Sequence, residues 1–319
     1  MEASVPGGVD GFHHEALLYS NANDFLAGTV PFIEEGLASG EAVMVVELPQ
    51  KIDLLRSYLG AGALAVRFAD MAKVGANPAL IIPTWRDFLT RNQSEGRHMR
   101  GIGEPIYAAR RPAELVECQR TEELLNFAFD GGEAWRLLCP YDTSALAPAV
   151  VSEARRSHPY VHEVSGQIVS GSRAAGRRAP FDAPFAEAPR DHLSLVVDQG
   201  QLDQLRSLVS ERARDAGLTE ARIGELVSAV NEVATNSLSH GGGVAYVRIW
   251  KEDGALVCAL VDNGHFDLPL ADRERPVRNT QASRGLWLVN HFVDLAQIQS
   301  SQRGTEVRLH MWLDPNRIN

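Results

Sequence analysis

The sequence predicts two domains, an α/β domain followed by a smaller α+β domain. Strands and helices alternate through the first half of the chain, a segment rich in Gly, Ser, Ala, Pro and Arg interrupts them, and a pattern with two hairpins follows. The alternation is typical of a mostly parallel sheet with helices on its faces, and the second pattern favours a layer of helices against one mixed sheet. We therefore expect domains at residues 12–160 and 191–314, joined by a linker over 161–190.

The composition is that of an ordinary globular protein, with 319 residues, 45% hydrophobic side chains and a formal net charge of −10. The acidic balance argues against direct nucleic-acid binding. No apolar run approaches the ~18 residues of a membrane span, and no signal segment opens the chain. Three widely spaced cysteines, Cys118, Cys139 and Cys258, suit a reducing cytoplasm and show no metal-ligand spacing. We therefore expect a cytoplasmic protein without a membrane or nucleic-acid partner.

The elements of the first domain follow from local signals. Residues 42–48 form a continuous apolar run, as in a parallel strand covered on both faces. Pro31 lies inside the first predicted helix and indicates a kink or a late start, whereas Pro112 fits the first turn of the last helix. The predicted strands are 15–20, 42–48, 64–70, 98–105 and 134–142, and the predicted helices are 23–38, a short helix ending at 59, 78–91 and 112–129.

Polar residues fall near the carboxyl ends of these strands, which is where parallel sheets bind ligands. They are Tyr19, Glu47, Asp70, Glu104 and residues 139–142.

The second domain follows the order strand, helix, helix, hairpin, loop, helix, hairpin. Strand 193–197 and helix 202–214 precede a long helix that three glycines stop. Strands 244–250 and 255–264 are joined by a turn-rich Lys-Glu-Asp-Gly loop. The polar residues 265–282 indicate a loop that could move. Helix 284–294 and a second hairpin, which turns at 302–304, complete the domain.

The long helix, with residues 225–243, is the most informative stretch. Thr219 fits its N-cap, and apolar residues repeat behind it at helical spacing. Glu232 and Asn236 are four residues apart and therefore lie on the same face, one turn above each other. The amide oxygen suits Mg²⁺, and the carboxylate could take a proton from a nucleophile. By itself the pair is equally the pattern of a solvated helix face.

Four short motifs in order give residues 190–312 a family resemblance. The long helix supplies Glu232 and Asn236, and Asp262-Asn263-Gly264 ends a strand. Arg284-Gly285-Leu286 opens a helix, and Gly304-Thr305 marks the last turn. This order resembles the GHKL ATPase superfamily of gyrase, MutL and histidine kinases, and within it the RsbW-like anti-sigma-factor serine kinases. The resemblance implies a two-layer Bergerat fold that binds ATP and Mg²⁺.

The resemblance also implies roles for individual residues. Asn236 would hold Mg²⁺, and Glu232 would activate the attacking hydroxyl. Asp262 would accept the exocyclic amine of adenine, Gly264 would let the backbone approach the base, and Thr305 would support Asp262. The helix opened by the third motif would favour phosphate at its free N–H groups; its residues are Arg284, Gly285 and Leu286.

The chain departs from the family pattern at two places. Phe266 stands where the second glycine of the Asp motif is expected, and Ala282 and Ser283 stand where glycines commonly precede Arg-Gly-Leu. Glycines there let a lid wrap the phosphates, so their loss could weaken nucleotide binding or turnover.

Residues 12–160 resemble the MEDS (DcmR-like) sensory domain, which is thought to derive from a RecA-like P-loop fold with a parallel sheet flanked by helices. The residues that carry the resemblance are His14 with Leu17-Leu18-Tyr19, the turn 101–105 and residues 138–142. No G-x-x-x-x-G-K-[ST] is present, so this domain should not hydrolyse nucleotide as a P-loop enzyme does. The resemblance implies a small-molecule effector, and residues that could line its pocket are His13, His14, Tyr19, Glu104 and Tyr141. Alternatively, these residues belong to core and turn structure.

Three functional hypotheses remain open from the sequence. The first is an anti-sigma factor that binds a sigma factor and an anti-anti-sigma protein of STAS type, phosphorylates a serine of this antagonist with ATP, and is controlled by the sensory domain. The resemblance places partner binding and a homodimer interface around residues 193–214. The second is a catalytically silent regulator that sequesters partners. The third is a sensor histidine kinase, which needs a phosphoacceptor on a helical hairpin, but His162-Glu163 lies beside the linker without a heptad pattern.

Overall fold

A computed structural model describes residues 11–94, 96–132, 134–163, 166–170, 185–265, 270–274 and 281–314. The chain divides into two units, residues 1–179 and 180–319. No helix within the described ranges is both long enough and apolar enough to cross a bilayer.

The first unit is a mostly parallel sheet flanked by helices, which confirms the predicted fold class. Its strands are β1 (Phe12–Tyr19), β2 (Ala42–Glu47), β3 (Val66–Asp70), β4 (Met99–Gly103), β5 (Trp135–Asp142), β6 (Tyr160–His162) and β7 (Ile168–Ser170). Its helices are α1 (Ala22–Ala38), α2 (Pro49–Leu59), α3 (Met71–Val74), α4 (Ile81–Gln93), α5 (Pro112–Phe129) and α6 (Pro148–Ser157). The strands lie in the order β3-β2-β4-β5-β1-β6-β7, and all neighbours are parallel except β6 and β7.

Local chemistry explains where these elements begin. β2 is buried at every position, as a strand covered on both faces must be. α1 begins at Ala22 because the Asn21 side chain caps it, accepting hydrogen bonds from the N–H groups of Asn23 and Asp24. Pro31 therefore lies inside a helix that starts early, and the predicted late start is wrong. α5 begins at Pro112, as the sequence predicts.

Three elements at the end of this unit, α6, β6 and β7, are not predicted from the sequence. The sequence predicts a linker over 161–190, but β6 and β7 extend the sheet into its first residues. Hydrogen bonds from Gly166 N to Glu163 O and from Glu163 N to Gln167 O, each 2.8 Å, hold the facing ends of the two strands together. Val161 is fully buried. Strands of three residues are too short for a periodic pattern to reveal.

The described part of the second unit contains five strands and three α-helices. They are β8 (Leu193–Val197), α7 (Leu202–Asp215), α8 (Glu220–His240), β9 (Ala245–Glu252), β10 (Ala255–Asp262), α9 (Gln281–Phe292), β11 (Leu295–Ser301) and β12 (Gly304–Trp312). The strand order is β11-β12-β10-β9-β8, and every neighbouring pair is antiparallel. The prediction of a mixed sheet is therefore wrong. Two hairpins supply four of the strands, and β12 pairs with β10 in the antiparallel sense, so no parallel pair forms.

α8 is the predicted amphipathic helix and the centre of this unit. Thr219 caps it by accepting a hydrogen bond from Arg222 N. The predicted apolar stripe enters the core, with only Val227 half-buried. α9 begins at Gln281, three residues before its predicted start at 284. Of the predicted loop 265–282, residues 266–269 and 275–280 lie outside the described residues.

Glu15 joins three strands of the first sheet. This carboxylate on β1 is 4% exposed. Arg136 on β5 donates to Glu15 Oε1 and Oε2 at 2.7 and 3.0 Å, and His162 Nε2 on β6 lies 2.8 Å from Oε2. Burial alone would raise the pKa of Glu15, but hydrogen bonds from His162 and Arg136 outweigh it and hold the pKa at about 2.

Glu15→Gln is expected to destabilise the first unit in a pH-dependent way. A depressed folded-state pKa contributes stability that is present above the unfolded pKa of 4.5 and is lost as the pH falls towards 2. The difference in free energy of unfolding between wild type and Glu15→Gln should be about 2 kcal/mol smaller at pH 3 than at pH 5. Urea unfolding at both pH values measures it. Glu34→Gln, at an exposed glutamate of α1, is the matched control, and an equal difference at both pH values would contradict the assignment.

Candidate functional site

The helix face that carries Glu232 and Asn236 is met by the start of α9. Both side chains are half-buried. A Cβ atom at Gly285 would lie 2.9 Å from Glu232 Oε2 and 3.4 Å from Asn236 Nδ2. Glycine therefore lets α9 approach the pair more closely than another residue would. Gly285 is the fifth residue of α9, so the free N–H groups of this helix, which favour phosphate, belong to residues 281–284 in the turn before it.

Asp262 closes the other end of the same site. Its carboxylate ends β10 and is 9% exposed. Asp262 Oδ1 accepts a hydrogen bond of 2.7 Å from Gly264 N. A Cβ atom at Gly241, the residue that follows α8, would lie 2.6 Å from the same oxygen. The end of α8 is therefore held against the carboxylate.

Thr305 supports Asp262 indirectly. The two residues are directly opposite each other in the β10–β12 ladder. Thr305 Oγ1 donates a hydrogen bond of 2.9 Å to Gly264 O, the same glycine whose N–H binds Asp262, and Ser300 Oγ lies 2.8 Å from Thr305 Oγ1. The Thr305 hydroxyl thus orients Gly264, and the N–H group of Gly264 in turn orients the Asp262 carboxylate.

These two ends could hold two different parts of one ligand. Gly241 lies five residues beyond Asn236, which is about 7.5 Å along the helix axis. One end offers a carboxylate at the end of a strand, which could accept a hydrogen bond from an amine. The other end offers an amide oxygen suited to Mg²⁺, a carboxylate suited to proton transfer, and a helix start suited to phosphate. The donor set of the described residues fits a purine nucleotide with its metal ion.

The remaining motif residues are only partly described. Leu286 packs against the core of the second unit and so anchors the start of α9. Arg284, Ala282 and Ser283 belong to the first turn of α9, but their side chains lie outside what the structure describes. Phe266 lies outside the described residues altogether.

In the first unit, Tyr19 and Glu104 do meet. Tyr19 Oη donates a hydrogen bond of 2.9 Å to Glu104 Oε1, and Lys51 Nζ contacts both Tyr19 Oη and Glu104 Oε2. Glu47, fully buried at the end of β2, belongs to the same group because its charge interacts with Glu104 and Lys51. We call these four residues the edge cluster, since they lie at or near the carboxyl ends of parallel strands. The position matches the predicted ligand edge.

The edge cluster concentrates buried charge. Burial, ahead of the neighbouring Glu104, raises the pKa of Glu47 well above its ordinary value. Burial likewise raises the pKa of Glu104, although Lys51 opposes the change. The carboxylate of Glu47 lies beside that of Glu104 and the backbone N–H of Leu48, but its geometry to either is too poor for a well-formed hydrogen bond. Such a group is suited to a polar ligand.

His14 and Tyr141 lie elsewhere, on the sheet face covered by α5 and α6. His14 is 1% exposed, and its Nε2 lies 3.2 Å from Glu122 Oε2 and 3.3 Å from Cys139 Sγ. His158 Nε2 lies 3.1 Å from the same Glu122 oxygen, and the ring of Tyr141 contacts that of His158 edge-on. We call His14, Glu122, Cys139 and His158 the His-Cys-Glu cluster.

Burial and the interactions among its members together set the ionisation of the His-Cys-Glu cluster. Burial, followed by the neighbouring His158, lowers the pKa of His14 to about 4. Burial and then Glu122 raise the pKa of the Cys139 thiol well above its ordinary value. Burial would also raise the pKa of Glu122, but the two imidazoles outweigh it and hold the pKa at about 2.

His13 joins neither cluster. It is half-buried and its ring stacks on Tyr160, at 5.3 Å between ring centroids. The five residues proposed for one sensory pocket are therefore divided among three places. Sequence reasoning missed Lys51, Glu122 and His158, because each reaches its cluster from a separate helix or loop and no spacing in the sequence marks it.

Comparisons with known proteins give two family matches. Residues 13–159 match the model of the MEDS family, the methanogen/methylotroph DcmR sensory domain, and residues 195–311 match the histidine kinase-like ATPase domain. No curated protein matches the chain. Among solved structures, the RsbU and RsbW domains of Rv1364c from Mycobacterium tuberculosis match with 20% identity and a TM-score of 0.30. That match covers 39% of this chain and 33% of the other chain, and so spans about a third of its length.

The order of the two family matches agrees with the order of the two units. The ATPase match also covers Glu232, Asn236 and Asp262, which lie in the second unit. The chain therefore resembles a MEDS domain over residues 13–159 and a histidine kinase-like ATPase domain over residues 195–311.

Proposed function

We propose that the second domain binds Mg-ATP and acts as the switch of a partner-switching regulator. The observation that carries the proposal is the approach of Gly285 to Glu232 and Asn236, with Asp262 held at the other end of α8. Asp262 would then accept a hydrogen bond from the exocyclic amine of adenine, and Asn236 would hold Mg²⁺. The first turn of α9, which includes Arg284 and precedes Gly285 and Leu286, receives the phosphates.

Glu232 is the residue for a catalytic step. ATP would supply the γ-phosphoryl group, and Mg²⁺ held by Asn236 would supply charge neutralisation during the transfer. Glu232 accepts the proton of a serine hydroxyl of the partner while that oxygen bonds to phosphorus and ADP leaves. We propose that the partner is a STAS-type antagonist and that the second partner of the switch is a sigma factor. The domain then acts as a protein serine kinase.

An exposed apolar pair on the sheet supports a protein partner. β8 is the edge strand of the described sheet, and Val196 lies directly opposite Tyr246 on β9. These side chains are 52% and 50% exposed, whereas their neighbours Val197 and Val247 are buried. Edge strands with exposed apolar side chains are ready surfaces for a partner or a second copy. We place the sigma factor, the antagonist and a homodimer contact at or beside this surface, within residues 193–214.

The first domain supplies the proposed control. The edge cluster places two buried carboxyl groups, a phenol and a lysine at the ligand edge of a parallel sheet. We propose that a small polar molecule binds there and biases the switch. This protein is proposed to act in the cytoplasm, without a nucleic-acid or membrane partner.

The second candidate function is a regulator that sequesters partners without phosphorylating them. Phe266 and Ser283, where the family has glycines, favour it because they could impede the closing of a lid over phosphates. The two functions differ only in turnover, so one pair of variants separates them.

Asn236→Ala is expected to abolish nucleotide binding, and Glu232→Gln to abolish phosphate transfer while binding remains. Mg-ATP at 100 times its dissociation constant should stabilise the wild type by about 2.7 kcal/mol. Asn236→Ala should lose this shift because a metal ligand is gone, and Glu232→Gln should keep it. Thermal unfolding with and without Mg-ATP measures the shifts, and transfer of labelled phosphate to a purified STAS-type protein from the same organism measures turnover.

Thr235→Ala, at an exposed position of α8 next to Asn236, is the matched control and should behave as the wild type. No shift in the wild type at millimolar Mg-ATP would contradict the nucleotide site. A shift without transfer in the wild type would establish the sequestering function instead.

A further inference from the structure

The His-Cys-Glu cluster brings four metal-ligating side chains together in the interior of the first unit. His14 comes from β1, Glu122 from α5, Cys139 from β5 and His158 from the end of α6. All four are buried, and one ligand atom from each lies within 4.8 Å of the others. The cluster therefore joins two strands and two helices that the sequence separates widely.

The hydrogen bonds behind the imidazoles fix which nitrogen faces the cluster. His158 Nδ1 lies 2.8 Å from Ala154 O, and a carbonyl only accepts, so Nδ1 carries the proton. His14 Nδ1 lies 3.2 Å from Asn126 Oδ1, while Asn126 Nδ2 donates to Ser157 O at 2.8 Å. Both neutral rings consequently point an unprotonated Nε2 towards the cluster. Metal-binding histidines are oriented in this way by their second nitrogen.

Two nitrogen lone pairs therefore face one carboxylate. The Cys139 thiol can satisfy His14 Nε2, but while both rings are neutral neither Nε2 atom carries a proton to donate to Glu122, although they lie 3.2 and 3.1 Å from its Oε2 atom. A buried carboxylate is costly unless a positive charge or a donor compensates it. A divalent cation at the centre of the cluster would supply this compensation.

Three of the six distances between the ligand atoms come close to those around a tetrahedral ion, and all six are within 4.8 Å. Ligand atoms about 2.0–2.3 Å from a central Zn²⁺ lie about 3.3–3.7 Å from one another. His14 Nε2 lies 3.3 Å from Cys139 Sγ, and the two imidazole nitrogens lie 3.2 and 3.1 Å from Glu122 Oε2. A thiolate, a carboxylate and two neutral imidazoles carry a charge of −2, which a divalent ion neutralises.

We propose that His14, Glu122, Cys139 and His158 bind one divalent transition-metal ion of the Zn²⁺ class in the first domain. Binding forms four metal–ligand bonds and releases the thiol proton of Cys139 to solvent. Imidazole and thiolate exclude Mg²⁺ and Ca²⁺, which prefer oxygen ligands. With four protein ligands and no open position, the ion holds the sheet to α5 and α6 and does not catalyse a reaction. The site is separate from the nucleotide residues of the second domain.

The test is refolding of the full chain from urea with Zn²⁺ or Co²⁺, followed by desalting and metal analysis. The wild type should retain about one equivalent of either ion. The Co²⁺ form should show the visible absorption of tetrahedral cobalt and a thiolate charge-transfer band in the near ultraviolet. Cys139→Ser should remove the charge-transfer band, and Glu122→Gln should weaken retention of the ion.

Two neighbouring residues provide matched controls. Cys118→Ser changes a buried thiol that donates to Pro105 O, and a serine hydroxyl can keep that hydrogen bond. His13→Gln changes the histidine next to His14 that stacks outside the cluster. Both variants should keep the ion and the cobalt spectrum. A wild type that refolds with native circular dichroism but retains neither ion would overturn the proposal, and so would a charge-transfer band that survives Cys139→Ser. If the refolded wild type retains neither ion, the cluster is a His-Glu-His group that shares protons.

Discussion

The second domain depends on how closely the backbone approaches Asp262. Three glycines from separate turns surround this residue. A Cβ atom at Gly241 or Gly264 would lie 2.6 or 3.0 Å from Asp262 Oδ1, and one at Gly304 would overlap Asp262 O. The end of α8, the residues after β10 and the start of β12 can converge on the carboxylate only because these positions lack side chains. The same convergence sets the distance from Asp262 to Glu232 and Asn236, and so defines the site.

The sequence predicts this domain well because most of its signals are local. The apolar stripe, the Thr219 cap and the terminal glycines of α8 lie within one stretch of chain, and the hairpins have recognisable turns. Register and strand direction depend instead on which distant strands pair, so the mixed sheet was a wrong prediction. The order of the motifs could be read from the sequence, whereas the support of Asp262 by Thr305 through Gly264 needed coordinates.

In the first domain the sequence predicts the sheet but not the groups of polar residues. Its parallel sheet follows from apolar runs and alternating helices, but its polar clusters do not follow from any spacing. Cys139 gave no metal-ligand signal in the sequence, because its cluster partners His14, Glu122 and His158 come from other elements. Only the topology of β1 beside β5, with α5 and α6 above them, brings these residues together. Likewise, Tyr19 at the end of β1 meets Glu104, which follows β4, and Lys51 of α2 only at the edge of the folded sheet.

The two domains thus divide the chemistry between them. The first holds buried charge in two clusters, one at the ligand edge of its sheet and one in its interior. The second holds a carboxylate, an amide and a helix start in an order that suits a nucleotide. The proposed nucleotide site depends most on Asp262, since the backbone of three turns is arranged around this single side chain.

The most direct test of that claim is the affinity of the wild type and of Asp262→Asn for Mg-ATP and Mg-GTP, measured by titration calorimetry. Guanine presents a carbonyl where adenine presents its exocyclic amine, so a carboxylate acceptor should discriminate between them. The account predicts that the wild type binds ATP at least about tenfold more tightly than GTP, which corresponds to one charge-assisted hydrogen bond. Asp262→Asn should lose most of this preference. Equal affinities of the wild type for both nucleotides, or a preference that Asp262→Asn leaves unchanged, would contradict the account.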